Sequence, residues 1–384
     1  MARVLITGAG GFLGRNLCWR FASENISKRF HAQAGAPLEE VEVLTFTRQN
    51  SLDDLRVLLD QADFVYHLAG VNRPQFDQEF DQINRGLTEE ILHHLEATGH
   101  HPPVLFASST QAEMENLYGL SKKAAEHALI NYHKRTRGPV LIYQLTNLFG
   151  KWCRPNYNSV TATFCHNLAH DLPIQIHDKS HQIGLLYVDD VTEEFSSRLK
   201  DYLPKQIQYH CGPTYEITLG DLAERLRGFV ESRKNLFIPD FADPLTKKLY
   251  ATYVSYLKPG DFSYPLTMRN DARGSLAEVV KSPHFGQIFV STTKPGVTRG
   301  NHFHHTKVEK FIVIQGEGLI EFRQVDQEEI LQYPVSGEQI QVLDIPTGYT
   351  HRITNTSKTK ELVTLFWSCE PFNPEAPDTY FLEL

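Results

Sequence analysis

A doubly wound α/β parallel sheet followed by an all-β barrel is the architecture this sequence predicts. Three observations predict it. The chain opens on an apolar run, Arg3–Thr7, that leads into the glycine turn Gly8-x2-Gly11-x2-Gly14. Up to about Gly150, apolar strand-like runs alternate with amphipathic helical stretches, the pattern of parallel strands joined by helical crossovers. From about Leu266 the pattern changes to short alternating strands with Gly and Pro turns and no long helix.

The elements follow in order. Strands are expected at Arg3–Thr7, Val41–Thr45, Asp63–Leu68, Val104–Ala107 and Val140–Leu145. Helices are expected at Phe12–Ser23, Leu52–Leu59, Asp81–Ala97 and Leu120–Arg135. Residues from about Tyr157 to Ser232 mix short strands and helices and read as a smaller substrate-side lobe. Within it, Thr218 reads as the N-cap of a helix through Leu219–Phe229. The Pro-containing stretch Phe237–Asp261, with a helix at Leu245–Leu257, reads as a connector.

Length and composition bound the function. The 384 residues suffice for two cores, and 41% hydrophobic with 22% charged residues is an ordinary soluble balance. A net charge of −8 without a long basic run argues against a nucleic-acid partner. The five cysteines, Cys18, Cys153, Cys165, Cys211 and Cys369, are scattered and form no CxxC pair. Neither a disulfide framework nor a Cys-ligated zinc is indicated, and a reducing, cytoplasmic location is expected. The N-terminal MARVLITGAGG reads as a strand and turn, not as a secretory signal. With no apolar run of about 18 or more residues, no membrane partner is expected.

The glycine triplet lets the backbone turn tightly and approach a pyrophosphate, whose charge the amides of the following helix stabilise. Gly8, Gly11, Phe12, Leu13 and Gly14 are thus the expected cofactor turn. The second strand ends in Thr45-Phe46-Thr47-Arg48, with no acid to bind a ribose 2′-hydroxyl. Arg48 suits a 2′-phosphate instead, which favours NADPH. After the fourth strand come Ser108-Ser109-Thr110, then Tyr118-x3-Lys122. One helical turn puts Tyr118 and Lys122 on one face. A neighbouring ammonium is expected to lower the tyrosine pKa, so that Tyr118 exchanges a proton with a carbonyl oxygen. A Ser hydroxyl would hold the same oxygen.

These residues resemble the extended short-chain dehydrogenase/reductase family, which implies a Rossmann-like fold and nucleotide-sugar substrates. The resemblance includes His67-Leu68-Ala69-Gly70, Asn84, Asn147-Leu148-Phe149-Gly150 and Tyr187-Val188-Asp189-Asp190-Val191. It implies that Ser109, Tyr118 and Lys122 are catalytic. Leu68, Ala69, Gly70 and Lys122 would contact the cofactor, and Asn147 the substrate. Tyr118 follows Ser109 after a shorter loop than the family usually has, which leaves the choice among Ser108, Ser109 and Thr110 open.

A second constellation lies near residue 300. Gly296-x5-His302-x-His304-x4-Glu309-x6-Gly316 precedes Pro346-x-Gly348-x2-His351-x3-Asn355. Two His at i, i+2 on a strand share a face. With a third His and a Glu they make a mixed N/O site suited to zinc or another borderline divalent metal. The expected ligands are His302, His304, Glu309 and His351, and Lys310 should point the other way. The pattern resembles the two cupin motifs, although Ile340 stands where a Gly usually opens the second. Asp271-x-Arg273-Gly274-x3-Glu278 and Arg299-Gly300-x-His302 resemble motifs of the cupin-type nucleotide-sugar epimerases. That likeness implies that Arg273 and Arg299 contact the anionic substrate. His302 then has two competing roles, general base or metal ligand.

Taken together with Gly70-Val71-Asn72-Arg73-Pro74 and Lys248-Leu249-Tyr250-Ala251-Thr252-Tyr253, the order of the modules narrows the likeness. The whole chain resembles the bifunctional epimerase/reductase family of capsular and O-antigen sugar synthesis, on the route to UDP-N-acetyl-L-fucosamine. Residues 1–243 would be the dehydrogenase/reductase domain, 244–262 the connector and 263–384 the cupin domain. The family inverts carbon 3 of a UDP-2-acetamido-2,6-dideoxy-4-hexulose in the cupin domain. It then reduces the carbon-4 ketone with NADPH, giving the L-talose sugar. A homodimer is implied by the same resemblance. The alternative is a reductase whose cupin domain only binds sugar or supports assembly.

Overall fold

The computed structural model describes residues 1–31, 39–201 and 207–384. The chain divides into two compact units, Met1–Leu226 with Lys248–Leu257, and Arg227–Lys247 with Lys258–Leu384. The stretch expected as a connector is therefore shared, with its central ten-residue piece belonging to the first unit.

In the first unit the strands are β1 (Ala2–Thr7), β2 (Val41–Phe46), β3 (Phe64–His67), β4 (Val104–Ser109), β5 (Val140–Leu145), β6 (Asn147–Phe149), β7 (Gln182–Tyr187), β8 (Gln208–His210) and β9 (Thr214–Thr218). Six of them form a parallel sheet in the order β2-β1-β3-β4-β5-β8. The chain steps from β1 outward to β2, then returns to the other side of β1 for β3. That reversal opens a crevice beyond the strand ends, where doubly wound sheets bind ligands. Strands β6, β7 and β9 make a small separate sheet.

Both faces of the main sheet are covered, so its central strands β1, β3, β4 and β5 read as mostly apolar runs. Val4 and Ile6 join Leu13, Leu17 and Phe21 of α1 (Phe12–His31), whereas Leu5 joins Leu55 and Leu59 of α2 (Leu52–Gln61). The second face also takes Ile91 and Leu95 of α3 (Leu87–Thr98) and Ala125 and Leu129 of α4 (Leu117–Thr136). Helix α1 runs past its expected end at Ser23. Lys28, Arg29 and His31 in its last turn suit the negative end of the helix dipole. Ser51 closes a capping box on α2 with Asp54.

The expected helix Asp81–Ala97 is broken in two. A wider π-helical turn, Phe80–Gly86, precedes α3. Asn84 lies in this turn and is buried. Its side chain accepts from Val71 N at 2.8 Å and donates to Val71 O at 2.9 Å and to Ser121 Oγ at 2.9 Å. Three bonds to distant groups hold a turn that local periodicity does not specify. The remaining helices are α5 (Val160–Ala169), α6 (Val188–Ser197), α7 (Leu219–Asn235) and α8 (Pro244–Val254). The Thr218 hydroxyl caps α7 by accepting from Asp221 N at 3.1 Å, as its sequence predicts.

In the second unit the strands are β10 (Met268–Asp271), β11 (Gly274–Ser282), β12 (Gly286–Thr293), β13 (Thr298–Phe303), β14 (Glu309–Gln315), β15 (Glu317–Gln324), β16 (Ile330–Ser336), β17 (Val342–Ile345), β18 (Tyr349–Asn355), β19 (Leu362–Ser368) and β20 (Tyr380–Phe381). They form two antiparallel sheets, β10-β11-β12-β19-β14-β17 and β16-β15-β18-β13-β20. The two inner faces meet in one core, with Phe311, Leu343, Leu362 and Phe366 from the first and Ile320, Phe322 and Ile353 from the second. This is the all-β barrel architecture of the cupin type predicted above.

Phe366 packs between Phe289, at 4.8 Å between ring centroids, and Phe311, at 4.4 Å. Phe366→Ala should therefore cost about 3–5 kcal/mol of the second unit's stability, since the strands around it cannot collapse into the space. Denaturant unfolding followed by a probe in that unit checks this.

Candidate functional site

The carboxyl ends of β1, β3 and β4 bring the predicted dehydrogenase residues together. Gly8 has φ +70°, and a Cβ there would lie 2.8 Å from the backbone of Ala69. A Cβ on Gly14 would lie 2.2 Å from Gly8 O. Only glycine allows the turn, the first turn of α1 and the Leu68-Ala69-Gly70 loop to press this closely. Gly11 N closes the turn on Gly8 O at 2.9 Å. Helix α1 starts at Phe12, followed by buried Leu13 and Gly14, and has no acidic residue in its first turn. Its amides thus face no competing carboxylate, which suits a pyrophosphate. Arg48 is exposed in the turn after β2.

Beneath this turn, His67 is fully buried and both ring nitrogens are matched. Thr88 Oγ1 donates to Asn84 O at 2.7 Å, so it accepts from His67 Nε2 at 2.9 Å. The proton is therefore on Nε2, and Nδ1 accepts from Thr7 Oγ1 at 2.8 Å. Thr7 Oγ1 in turn accepts from Ala69 N at 3.2 Å. Burial, with the nearby Lys122 charge, pushes the imidazole pKa down to about 3 and keeps the ring neutral. His67 thus links the strand before the glycine turn to the π-helical turn holding Asn84.

Among the three candidate hydroxyls, Ser108 donates to the buried Glu126 carboxylate and Thr110 is exposed. Ser109 ends β4, and its hydroxyl accepts from Gln111 N at 3.2 Å. Burial pushes the Tyr118 phenol up, with the Ser109 hydroxyl working against that shift. Burial also pushes Lys122 down, to about 8, while Glu126 opposes it. Lys122 Nζ donates to Ala107 O at 2.9 Å and lies 4.6 Å from the centre of the Phe106 ring. The expectation that Lys122 lowers the Tyr118 pKa is therefore corrected: in this structure desolvation dominates, and the ammonium is engaged with β4. Gly70 lies against Lys122 and Asn84, where a Cβ would come within 3.3 Å of Lys122 Nζ. Asn147 is exposed on β6 and donates to Gly184 O at 3.1 Å.

In the second unit, His302, His304, Glu309 and His351 each offer a ligand atom, and those atoms lie within 4.8 Å of one another. His302 on β13 is paired in register with His351 on β18, despite a bulge at Asn301, whose φ is +61°. His304 lies just beyond β13, and Glu309 opens β14 on the opposite sheet. Glu309 Oε2 is 3.4 Å from His304 Nε2 and 3.7 Å from His351 Nε2. Neither of these buried nitrogens has a hydrogen-bond partner among the described residues. Leaving such groups unmet costs about 1–3 kcal/mol each. Burial disfavours the Glu309 carboxylate, yet His304 and His351 together hold it well below the usual range. His302 is pushed down to about 4, by burial first and by the charge of His351 second. Three imidazoles around one carboxylate, two of them with an unpartnered nitrogen, fit a divalent cation. Lys310 turns away from the cluster and pairs with Asp344.

Arg273 is exposed and pairs with Asp271, Nη2 to Oδ2 at 2.6 Å. Arg299 is largely buried, with Nη2 3.6 Å from Asp271 Oδ1 and 3.3 Å from Thr292 O, and its Nε has no partner. The Arg273 guanidinium, with Arg299 adding to it, holds the Asp271 carboxyl down at about 2. Two guanidiniums thus share one carboxylate.

Comparison with known proteins agrees with both halves. The NAD dependent epimerase/dehydratase family model matches residues 4–206. The chain belongs to that family. Residues 269–380 match the polysaccharide biosynthesis C-terminal domain. A UDP-2-acetamido-2,6-beta-L-arabino-hexul-4-ose reductase of Pseudomonas aeruginosa is 42% identical over 378 residues, covering 98% of each chain. The capsular polysaccharide assembling protein CapF from Staphylococcus aureus aligns over 100% of both chains, with 39% identity and a TM-score of 0.88. A CapF structure with the inhibitor 3-isopropenyl-tropolone aligns over 100% of both chains, with 38% identity and a TM-score of 0.85.

Sequence reasoning overlooked Glu126, which engages Ser108, and the dual role of His67 in closing a hydrogen-bond chain. A His just before Leu-Ala-Gly at the end of a buried strand is the signal that points to it. His67→Gln keeps one acceptor and one donor and should preserve cofactor binding. His67→Leu leaves the Thr7 hydroxyl without its acceptor, at about 1–3 kcal/mol, and should raise the cofactor KM. Steady-state kinetics beside thermal melts of both variants check the difference.

Proposed function

We propose that this chain is a two-step nucleotide-sugar enzyme. The second unit epimerises carbon 3 of a UDP-2-acetamido-2,6-dideoxy-4-hexulose. The first unit then reduces the carbon-4 ketone, giving UDP-2-acetamido-2,6-dideoxy-L-talose. The observation that carries this reading is the end-to-end similarity to a reductase named for a UDP-linked 4-hexulose. A cytoplasmic homodimer without nucleic-acid or membrane partners completes the proposal. The five free cysteines support a reducing compartment, and among the described residues no helix is long and apolar enough to cross a membrane.

For the reduction, NADPH supplies a hydride to the ketone carbon when bound. Gly8, Gly11, Phe12, Leu13 and Gly14 would hold its pyrophosphate and Arg48 its 2′-phosphate, and Leu68, Ala69, Gly70 and Lys122 would contact the rest. Ser109 holds the ketone oxygen and Tyr118 Oη gives it a proton. The raised Tyr118 pKa supports this direction of transfer, because a protonated phenol is the form that reduction needs. Lys122, whose ammonium burial makes a readier acid, returns a proton toward Tyr118. Asn147 contacts the sugar.

For the epimerisation, Arg273 and Arg299 bind the anionic diphosphate. A neighbouring ketone acidifies the carbon-3 hydrogen, and the resulting anion is delocalised onto oxygen. His302, His304, Glu309 and His351 would hold one divalent ion, with zinc expected, whose chemistry when bound is polarisation of a carbonyl. The unpartnered nitrogens of His304 and His351 support that assignment.

Tyr118→Phe should lower kcat for NADPH oxidation with the UDP-4-hexulose by about 10²–10⁴-fold, since the ring stays and only the proton donor goes. Unchanged turnover would remove Tyr118 from the mechanism. Arg48→Ala should raise the KM for NADPH and leave that for NADH unaffected. Equal change in both would return Arg48 to the solvent-exposed surface.

A further inference from the structure

The strongest unassigned feature is the C-terminal segment where it crosses the histidine cluster. His304 is 1% exposed, and its Nδ1 is bonded to the backbone carbonyl of Asp378. A carbonyl only accepts, so in the neutral ring Nδ1 carries the proton and the Nε2 lone pair faces Glu309. That is the tautomer a metal ligand requires, and it is set by a residue 74 positions away in sequence. His351 has a looser counterpart, Nδ1 lying 3.3 Å from Tyr349 O on its own strand.

Asp378 does more than supply that carbonyl. Its carboxylate accepts from three successive backbone amides, His305 N at 2.9 Å, Thr306 N at 2.7 Å and Lys307 N at 2.7 Å. Thr306 Oγ1 adds a fourth bond at 2.9 Å. These amides form the turn that separates His304 from Glu309. One aspartate therefore grips the ring of one candidate ligand and the backbone leading to the next. The residues after it continue the hold. Tyr380 and Phe381 pair with Phe303 and His302, Leu382 N donates to Asn301 O at 3.0 Å, and Thr350 Oγ1 donates to Leu382 O at 2.6 Å. Thr350 directly precedes His351. The segment thus touches each histidine of the cluster or its immediate neighbour.

We infer that residues 378–382 are a positioning strap of the metal centre, and that affinity for a divalent cation depends on Asp378 although it donates no ligand. The inference rests on the metal reading proposed above. Outer groups that orient a ligating imidazole typically change metal affinity by about 10–100-fold. A strap acting only on general stability would leave the tautomer and the affinity of the folded protein unchanged.

The test uses the full chain, Asp378→Ala and a chain ending at Pro377, each stripped of metal and titrated with Zn²⁺ alone against a chromophoric chelator. Wild type should bind about one ion per chain, as expected of a single four-ligand site. Asp378→Ala should bind roughly tenfold more weakly or worse, and the truncated chain more weakly still. Nitrogen-15 NMR of the metal-free wild type should show His304 protonated on Nδ1, a readout that needs no variant to fold. Equal Zn²⁺ affinity in all three chains, or a His304 without a proton on Nδ1, would overturn the strap. A wild type that binds no Zn²⁺ would overturn the metal reading itself, so the two failures are distinct.

Discussion

A buried imidazole needs a partner for each ring nitrogen, and this constraint separates the two histidines on which the sites depend. His67 has both: Thr88 accepts from Nε2 and Thr7 donates to Nδ1. Its ring is spent on holding the cofactor turn against the π-helical turn. His304 has one partner only, the Asp378 carbonyl, and its Nε2 is left unmet beside a carboxylate. The same residue type therefore acts as an internal strut in one unit and as a candidate ligand in the other. The difference lies in what stands opposite each nitrogen.

The chemistry of each unit follows from its packing. At the parallel sheet, Gly8 and Gly14 permit a backbone approach that any side chain would block. The same tight region buries Tyr118 and Lys122 enough to shift both, the phenol upward and the ammonium downward. A donor that stays protonated and a neighbour that is easily deprotonated suit delivery of a proton to a ketone oxygen. Between the antiparallel sheets, one carboxylate serves three imidazoles, two of them fully enclosed. The arrangement concentrates ligand atoms where water does not compete. In the proposed two-step reading epimerisation comes before reduction, because the ketone that acidifies carbon 3 is the group that reduction removes.

Much of this was legible in the sequence, for physical reasons. Strands β1, β3, β4 and β5 are buried on both faces, so their apolar runs stand out, and Ser51 and Thr218 announce their helices through side-chain caps. That His302, His304, Glu309 and His351 come together was legible because the residue types and their spacing on short strands restrict the geometry. The π-helical turn was not, because Asn84 holds it through Val71 and Ser121, contacts that local periodicity does not encode. The upward shift of Tyr118 was missed because spacing puts Lys122 on the same face but says nothing of desolvation or of the pull of Ala107 O on the ammonium. Asp378 was invisible for a similar reason, since its partners lie in the turn 304–307, far away in sequence.

The central claim is that one chain carries out two separable reactions on one UDP-4-hexulose. Its most direct test is NMR of that sugar incubated with the enzyme in heavy water, without NADPH, for the wild type and for His351→Ala. The account predicts deuterium at carbon 3 with the wild type and loss of exchange in His351→Ala, while that variant still reduces an already epimerised ketone when NADPH is added. A wild type that incorporates no deuterium at carbon 3 yet oxidises NADPH would contradict the two-step account and leave a reductase with a non-catalytic barrel.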